Sequence, residues 1–458
     1  MKYQDFISQK MSHHQSCGID SVHVDGTHLF QHQLAITNWA VRKGRCAIFA
    51  DTGLGKTRMQ LAWADAINRS TGVDVIILAP LAVSEQTRIE GESIGVTVTH
   101  ARDACDIRPG INITNYDRLH RFDPAMFGAV VLDESSIIKH HDAKTLGRLI
   151  SAFGRTPYRL CATATPAPND WTELGTHAEF LGICSRAEML AEYFTHDGGE
   201  TQTWRLKGHA RADYWRWVAS WGAMIRSPAD LGMDATAYNL PPLHVEQLTV
   251  ESDATPAEGQ LFALEAQTLS ERRQARRNSM RFRIAACADM VNSINEPWII
   301  WCELNAEGDA LVDAIPDAVE IRGSDDFDDK ERALTDFASG KIRVLVTKPK
   351  IAGFGLNWQH CRRIGFVGVS DSFEAYYQAI RRCWRFGQKK NVYAYLFVSE
   401  QEGAVSANLA RKEAAAKAMF NELSRETSAA VRNEVLGQVR HTNIYAPKNR
   451  IVFPSFMG

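Results

Sequence analysis

The sequence predicts an α/β fold of two parallel-sheet lobes, with a helical insertion in the first and a helical segment at the C-terminus. Three observations carry that expectation. From about residue 29 to 170, short apolar runs alternate with helical stretches, the pattern of a parallel sheet covered on both faces. The alternation lapses and then resumes from about 291 to 403. A glycine-rich turn, Ala50-Asp-Thr-Gly-Leu-Gly-Lys-Thr57, joins a strand-like run to a helix-like one near the head of the first lobe.

Residues 1–28 form a polar lead-in without periodicity, and 29–240 make up the first lobe. Ile48 and Phe49 end an apolar run that reads as a buried strand, and Arg58–Ile67 reads as a helix. Between them Gly53 and Gly55 let the turn, with Leu54 between them, point its N–H groups at an anion. The start of the helix adds its positive end. This is the chemistry of a loop that holds ATP: Lys56 would contact the β/γ phosphates and Thr57 would bind Mg²⁺. The general pattern opens with Gly, and here that position is Ala50. Downstream, Ala129-Val-Val-Leu-Asp-Glu-Ser-Ser136 delivers two carboxylates at the C-terminal end of a strand, where ligands bind in open α/β sheets. Asp133 would hold the Mg²⁺ shell and Glu134 would polarise the attacking water.

Residues 171–240 break the alternation and hold Trp204, Trp215, Trp217 and Trp221, expected to form the core of a helical insertion. Residues 241–290 read as a linking, protruding segment. Within it Arg272, Arg273, Arg276, Arg277, Arg281 and Arg283 recur at helical spacing, as a basic track for nucleic acid or as a solvated helix face. The second lobe spans 291–403. Its acidic run, Asp325-Asp326 with Asp328-Asp329, is expected in a solvated loop. Its arginine-rich segment, Gln378-Ala-Ile-Arg-Arg-Cys-Trp-Arg-Phe-Gly-Gln388, is suited to reach a triphosphate. Residues 404–458 form C-terminal helices, over Ala404–Val439, and a tail.

Composition bounds the function classes. Of 458 residues 45% are apolar and 23% charged, ordinary for a globular protein. Nine scattered cysteines without metal-ligand spacing point to a reducing cytoplasm. His13-His14 and His140-His141 have no partners at zinc spacing and read as surface or packing residues. No apolar run approaches the ~20 residues of a membrane helix, and the N-terminus does not read as a signal peptide. The net charge of −2 confines any nucleic-acid track to a local patch.

These motifs, in this order, resemble the Swi/Snf-type branch of the superfamily-two helicases, which are double-stranded-DNA translocases with two RecA-like lobes. The resemblance extends over nearly the whole chain. Leu29-Phe-Gln-His-Gln33, followed by Asn38-Trp39, resembles the adenine-reading segment, with Gln33 as the reader. Ile77-Leu-Ala-Pro-Leu81 and Ile113-Thr-Asn-Tyr116 resemble nucleic-acid-contacting motifs, Asn115 among them. Cys161-Ala-Thr-Ala-Thr-Pro166, then Asn169, resembles the motif that couples hydrolysis to movement through Thr163 and Thr165. Ile225-Arg226 to Leu231, then Leu240-Pro-Pro242, resembles the crossing between lobes, and Ala352-Gly-Phe-Gly-Leu-Asn357 the Gly-rich loop facing DNA and ATP. That likeness implies nucleotide-loop roles for Gly353 and Gly355, a DNA contact for Asn357, coupling by Gln378, and arginine fingers at Arg382 and Arg385. Arg381 counts as a neighbour. One departure stands out: the family usually carries Ala-His after Asp-Glu, linking hydrolysis to movement, and this chain has Ser135-Ser136. The short, accessory-free form resembles phage or prophage members.

The resemblance implies an ATP-dependent motor moving on DNA; the cysteine usage and N-terminus read as cytoplasmic, and a monomer is the expected state. Two other readings stand beside it: a strand-separating or annealing helicase on replication or recombination intermediates, with replication or recombination proteins as partners, and a nucleotide-gated DNA-binding subunit whose motor is uncoupled.

Overall fold

The computed structural model describes residues 16–437 apart from 23, 81–82, 140–143, 168–169, 197–203, 252–268, 353–356, 369–371, 400–410, 412–424 and 426. The chain forms two α/β lobes, each built on an all-parallel sheet.

Lobe one contains β1 (Arg45–Ala50), β2 (Val75–Ala79), β3 (Val98–His100), β4 (Ile111–Asn115), β5 (Ala129–Asp133) and β6 (Tyr158–Thr163). Its insertion then supplies a short antiparallel hairpin, β7 (Phe194–His196) with β8 (Trp204–Leu206), and a further strand, β9 (Gly222–Ile225). The lobe-one sheet runs β3-β4-β2-β5-β6-β1-β9. Its central strands are continuously apolar because helices cover both faces. Ile48, Ile77 and Val131 face Trp39, Trp63 and Ile67 on the helices Gln31–Lys43 and Lys56–Thr71. The alternate residues Phe49, Leu78 and Leu132 face Leu149, Phe180 and Trp221. Trp215, Trp217 and Trp221 are buried in the insertion, packed with Tyr193 and Tyr214, and Trp204 is half-buried beside them. The insertion is more than a helical outgrowth, since β9 pairs in parallel with β1 and completes the sheet edge.

Residues 226–242 cross to lobe two, anchored where Trp384 donates to the Pro241 carbonyl at 2.7 Å. There β10 (Leu243–Val250), β11 (Trp298–Trp301), β12 (Ala318–Ile321), β13 (Val344–Thr347), β14 (Arg363–Phe366) and β15 (Val392–Ser399) form a sheet in the order β10-β15-β14-β11-β13-β12. β10, which lies in the segment expected to link the lobes, pairs with β15 over eight residues as an edge strand of this sheet. The helices Leu269–Asn278 and Met280–Ser293 follow it. Arg283 departs from the expected basic face. It is fully buried, 2.9 Å from the equally buried Glu307, and also donates to Ser279 Oγ and the Val367 carbonyl. The acidic run departs from its expected loop: Asp326 caps the helix Phe327–Ala338 and Asp328 and Asp329 lie in its first turn, where the helix dipole favours them.

The chain then returns to lobe one. Ala430, Val431 and Val435 join the lobe-one core, and Glu434 pairs with Lys43 at 2.9 Å. The nine cysteines are all free. Among the described residues, no helix is long and apolar enough to cross a membrane.

Candidate nucleotide site between the lobes

The C-terminal ends of β1 and β5 and the turn after the helix Phe373–Ile380 meet at a cavity of about 340 Å³. Lobe one lines it with Gln33, Gly53, Gly55, Lys56, Thr57, Asp133 and Glu134, and lobe two with Asn357, Arg382 and Arg385. Gly53, Gly55, Lys56, Thr57, Asp133 and Glu134 are expected here from their motif chemistry, and Gln33, Arg382 and Arg385 from the family resemblance, which marks Asn357 as a DNA contact.

The turn after β1 is shaped by two glycines at φ of 90° and 81°, a conformation that side chains resist. A Cβ on Gly55 would lie 2.1 Å from Gln33 Nε2, and one on Gly53 would lie 3.0 Å from the Phe386 backbone nitrogen of the other lobe. Gln33 therefore packs directly on the loop. Its Nε2 donates to the Leu54 carbonyl at 3.0 Å, and its Oε1 accepts from the Phe30 N–H at 3.0 Å. Lys56 donates to the carbonyls of Ala50 and Asp51, at 2.9 and 3.4 Å. Asp133 accepts from Gln60 Nε2 at 2.7 Å. Glu134 sits at φ 52°, the lone non-glycine positive φ among the described residues, a strained backbone at the point where its carboxylate enters the cleft. Its Oε1 accepts from Thr163 Oγ1 at 3.1 Å and from Gln378 Nε2, across the cleft, at 3.4 Å. Gln378 in turn accepts from Arg382 Nη2 at 3.0 Å.

Electrostatics shows what this cavity is prepared to hold. Burial lowers the pKa of Lys56, and lowers Arg382 and Arg385 to about 10 and about 9. Burial likewise raises Asp133 and Glu134 above the ordinary carboxylate range, although Lys56 pulls the other way. Cations and carboxylates thus face one another across one desolvated cavity, a set that fits a polyanion and a divalent cation together. ATP with Mg²⁺ meets both demands.

Sequence reasoning missed several contributors. Phe30, Tyr238 and Phe386 form an aromatic rim on the same cavity, with Tyr238 and Phe386 centroids 4.7 Å apart. Phe30 stands three residues before Gln33 and Phe386 directly after Arg385, both within quoted motifs, but Tyr238 comes from a distant segment and left no local signal. Arg381 is more than a neighbour: its guanidinium lies 2.9 Å from Asp51 on the other lobe. Ser135 Oγ lies 3.1 Å from Nε2 of His177, a fully buried histidine on the helix Leu174–Leu181.

Other sites from the sequence lie elsewhere. Asn115 is buried, and its Oδ1 accepts from the Arg118 N–H, so it caps a turn inside lobe one. Asn357, expected at DNA, lines the cavity between the lobes described above. Thr165 faces lobe two, donating to Glu374 at 3.3 Å. Arg276 is half-buried on the helix Leu269–Asn278, while Arg277 and Arg281 are exposed. The Arg272 side chain, Gly353, Gly355, Asn169 and both histidine pairs lie outside the described residues.

Comparison with solved structures places the architecture. S. cerevisiae Dbp5 bound to RNA and ADP BeF3 superposes with a TM-score of 0.53 at 12% identity, covering 88% of this chain and 93% of that one. The two lobes have the fold of a RecA-like helicase core. Residues 284–387 match the family described as Helicase conserved C-terminal domain. The Sulfolobus solfataricus SWI2/SNF2 ATPase core in complex with dsDNA aligns at a TM-score of 0.40 and 16% identity, over 91% of this chain and 98% of that one. The bifunctional helicase and thymine dioxygenase JBP2 of Leishmania braziliensis is 32% identical over 117 residues, which is 25% of this chain. The match spans 10% of that protein's length.

Proposed function

We propose that this chain is an ATP-dependent motor that couples hydrolysis to movement on DNA, with duplex DNA its preferred track. The observation that carries the ATPase half is one cavity lined by a phosphate loop and two carboxylates from one lobe and by two arginines, Arg382 buried and Arg385 half-buried, from the other. In this reading Lys56 and the loop N–H groups hold the phosphates, and Thr57 and Asp133 hold the cation. Glu134 orients and deprotonates the water, with Thr163 and Gln378 fixing its carboxylate. Arg382 and Arg385 neutralise charge that develops on the transferred group. Bound ATP and Mg²⁺ would supply the phosphoanhydride bond and the Lewis acidity. The aromatic rim and Gln33 receive the base, and Asn357 contacts the nucleotide.

The DNA half rests on the motif resemblance to duplex translocases. Closing and reopening the cleft would step the lobes along one strand, a hinge motion of a common kind. Exposed Arg277 and Arg281, with Arg272 and Arg276 on the same helical run, are the proposed local phosphate contacts.

The test is the steady-state ATPase rate without polymer and with single-stranded DNA, duplex DNA or RNA, at one salt concentration. Stimulation chiefly by duplex DNA, with displacement of a triplex-forming strand, is the expected result. Stimulation by single strands with fork unwinding would replace the translocase with a strand-separating helicase. A rate indifferent to every polymer would leave a nucleotide-gated subunit.

A further inference from the structure

The helix Phe373–Ile380 and the turn after it carry Glu374, Tyr377, Gln378 and Arg381, spaced three, four and seven residues from the first. That spacing puts all four on one helical face. The face lies on lobe one. At one end Glu374 pairs with the Lys139 ammonium, just after the turn Ser135–Ile138, and its other oxygen accepts from Thr165 Oγ1 at 3.3 Å. At the other end Arg381 Nη2 lies 2.9 Å from Asp51 Oδ2, and Arg381 Nε donates to Thr52 Oγ1 at 2.9 Å. The Tyr377 hydroxyl donates to Asp51 Oδ1 at 2.9 Å. Burial disfavours the Asp51 carboxylate, yet Arg381, the Thr52 N–H and Tyr377 together hold its pKa below the ordinary value. Gln378 sits between the two ends and spans Glu134 and Arg382.

The charge order is directional. Lobe two is negative and lobe one positive at the Glu374 end, and the signs reverse at the Arg381 end. A shifted or inverted docking brings like charges together, so the two pairs select one seating of the lobes. Thr163, which holds Glu134, lies two residues before Thr165, so the Glu374 contact continues into the support of the proposed base.

We infer that this helix face is the docking surface that sets the closed cleft, and that Glu374 and Arg381 are positioning residues for hydrolysis. They seat Gln378, Arg382 and Arg385 against the phosphate loop through lobe one. The catalytic part of this inference rests on the ATPase reading; the docking part does not.

The experiment uses the full chain as wild type, Glu374→Lys, Lys139→Glu and the double exchange, with kcat and KM for ATP read beside the maximum particle dimension by small-angle X-ray scattering without nucleotide. Each single reversal is expected to lower kcat at least about tenfold with KM within about threefold, because ATP still binds lobe one while closure is disfavoured. Each should also lengthen the particle. The double exchange restores both readouts toward wild type. Wild-type kcat and dimension in the single variants, or a double variant no better than the singles, overturn the proposal. Glu374→Gln keeps the side-chain shape and guards against misfolding: it is expected to lower kcat at an unchanged melting temperature. If wild type shows no turnover, the ATPase reading fails, and the scattering comparison alone decides whether this face docks the lobes.

Discussion

Arg382, buried, and Arg385, half-buried, line the cleft, and burial depresses both guanidinium pKa values. Arg385→Ala is expected to leave ATP binding intact and to cut kcat by about a thousandfold or more. Single-turnover rates beside nucleotide titration check this, and normal turnover would sink the two-walled site. Lys56→Ala should abolish hydrolysis altogether. At this scale the sequence was most legible where chemistry demands a residue type at a fixed spacing, as at Gly53, Gly55, Lys56, Asp133 and Glu134. Legibility failed where the contact is made across the fold. Asp51 reads as an ordinary loop residue until Tyr377 and Arg381 arrive from the other lobe. Asn115 sits within a motif-like run, yet its amide is spent on the turn that follows it.

The strand β5 and the turn after it show how an element depends on its neighbours. Ser135 stands where a different residue was expected, and the helix Leu174–Leu181 sets His177 against it. Burial drops the His177 pKa from 6.5 to about 4, so the folded state prefers the neutral ring. The associated stability is complete above pH 6.5 and is lost as pH falls toward 4, in total about 3 kcal/mol. Denaturant titrations across that window should show the loss in wild type and a shallower slope in His177→Gln. The helix Met280–Ser293 makes a second case. Its arginine spacing reads as a solvated or DNA-facing stripe, but Arg283 turns inward to Glu307, because helical spacing does not say which of several arginines meets a buried carboxylate. Glu307→Gln leaves that guanidinium buried without its counter-charge and should cost about 3–5 kcal/mol by equilibrium unfolding. Strands such as β1 and β5 were legible because a strand covered on both faces must be continuously apolar. β10 was not, since one edge strand with exposed polar residues looks like linker.

As a whole, the molecule joins two sheets through residues 226–242 and ties its C-terminal helix back to lobe one through Val431, Val435 and the Lys43–Glu434 pair. A nucleotide gripped from both walls should stabilise the native chain by mass action, about 2.7 kcal/mol at a hundredfold excess over Kd. Thermal melts with ATP and Mg²⁺ are expected to rise by several degrees, an effect that Lys56→Ala should erase. Two lobes were legible from an alternation that lapses and resumes; how one lobe seats on the other was not, because it depends on pairs that no local pattern records. The strand order has one more consequence, which concerns synthesis rather than catalysis. β1 is flanked by β6 on one side and by β9 on the other, Ala47 lying opposite Cys161 and Gly222. As the chain leaves the ribosome, the strand that bears the phosphate loop keeps a naked hydrogen-bonding edge until the entire insertion has emerged. The sheet of lobe one therefore reaches its full width only once residues 222–225 have been made, long after β1 itself.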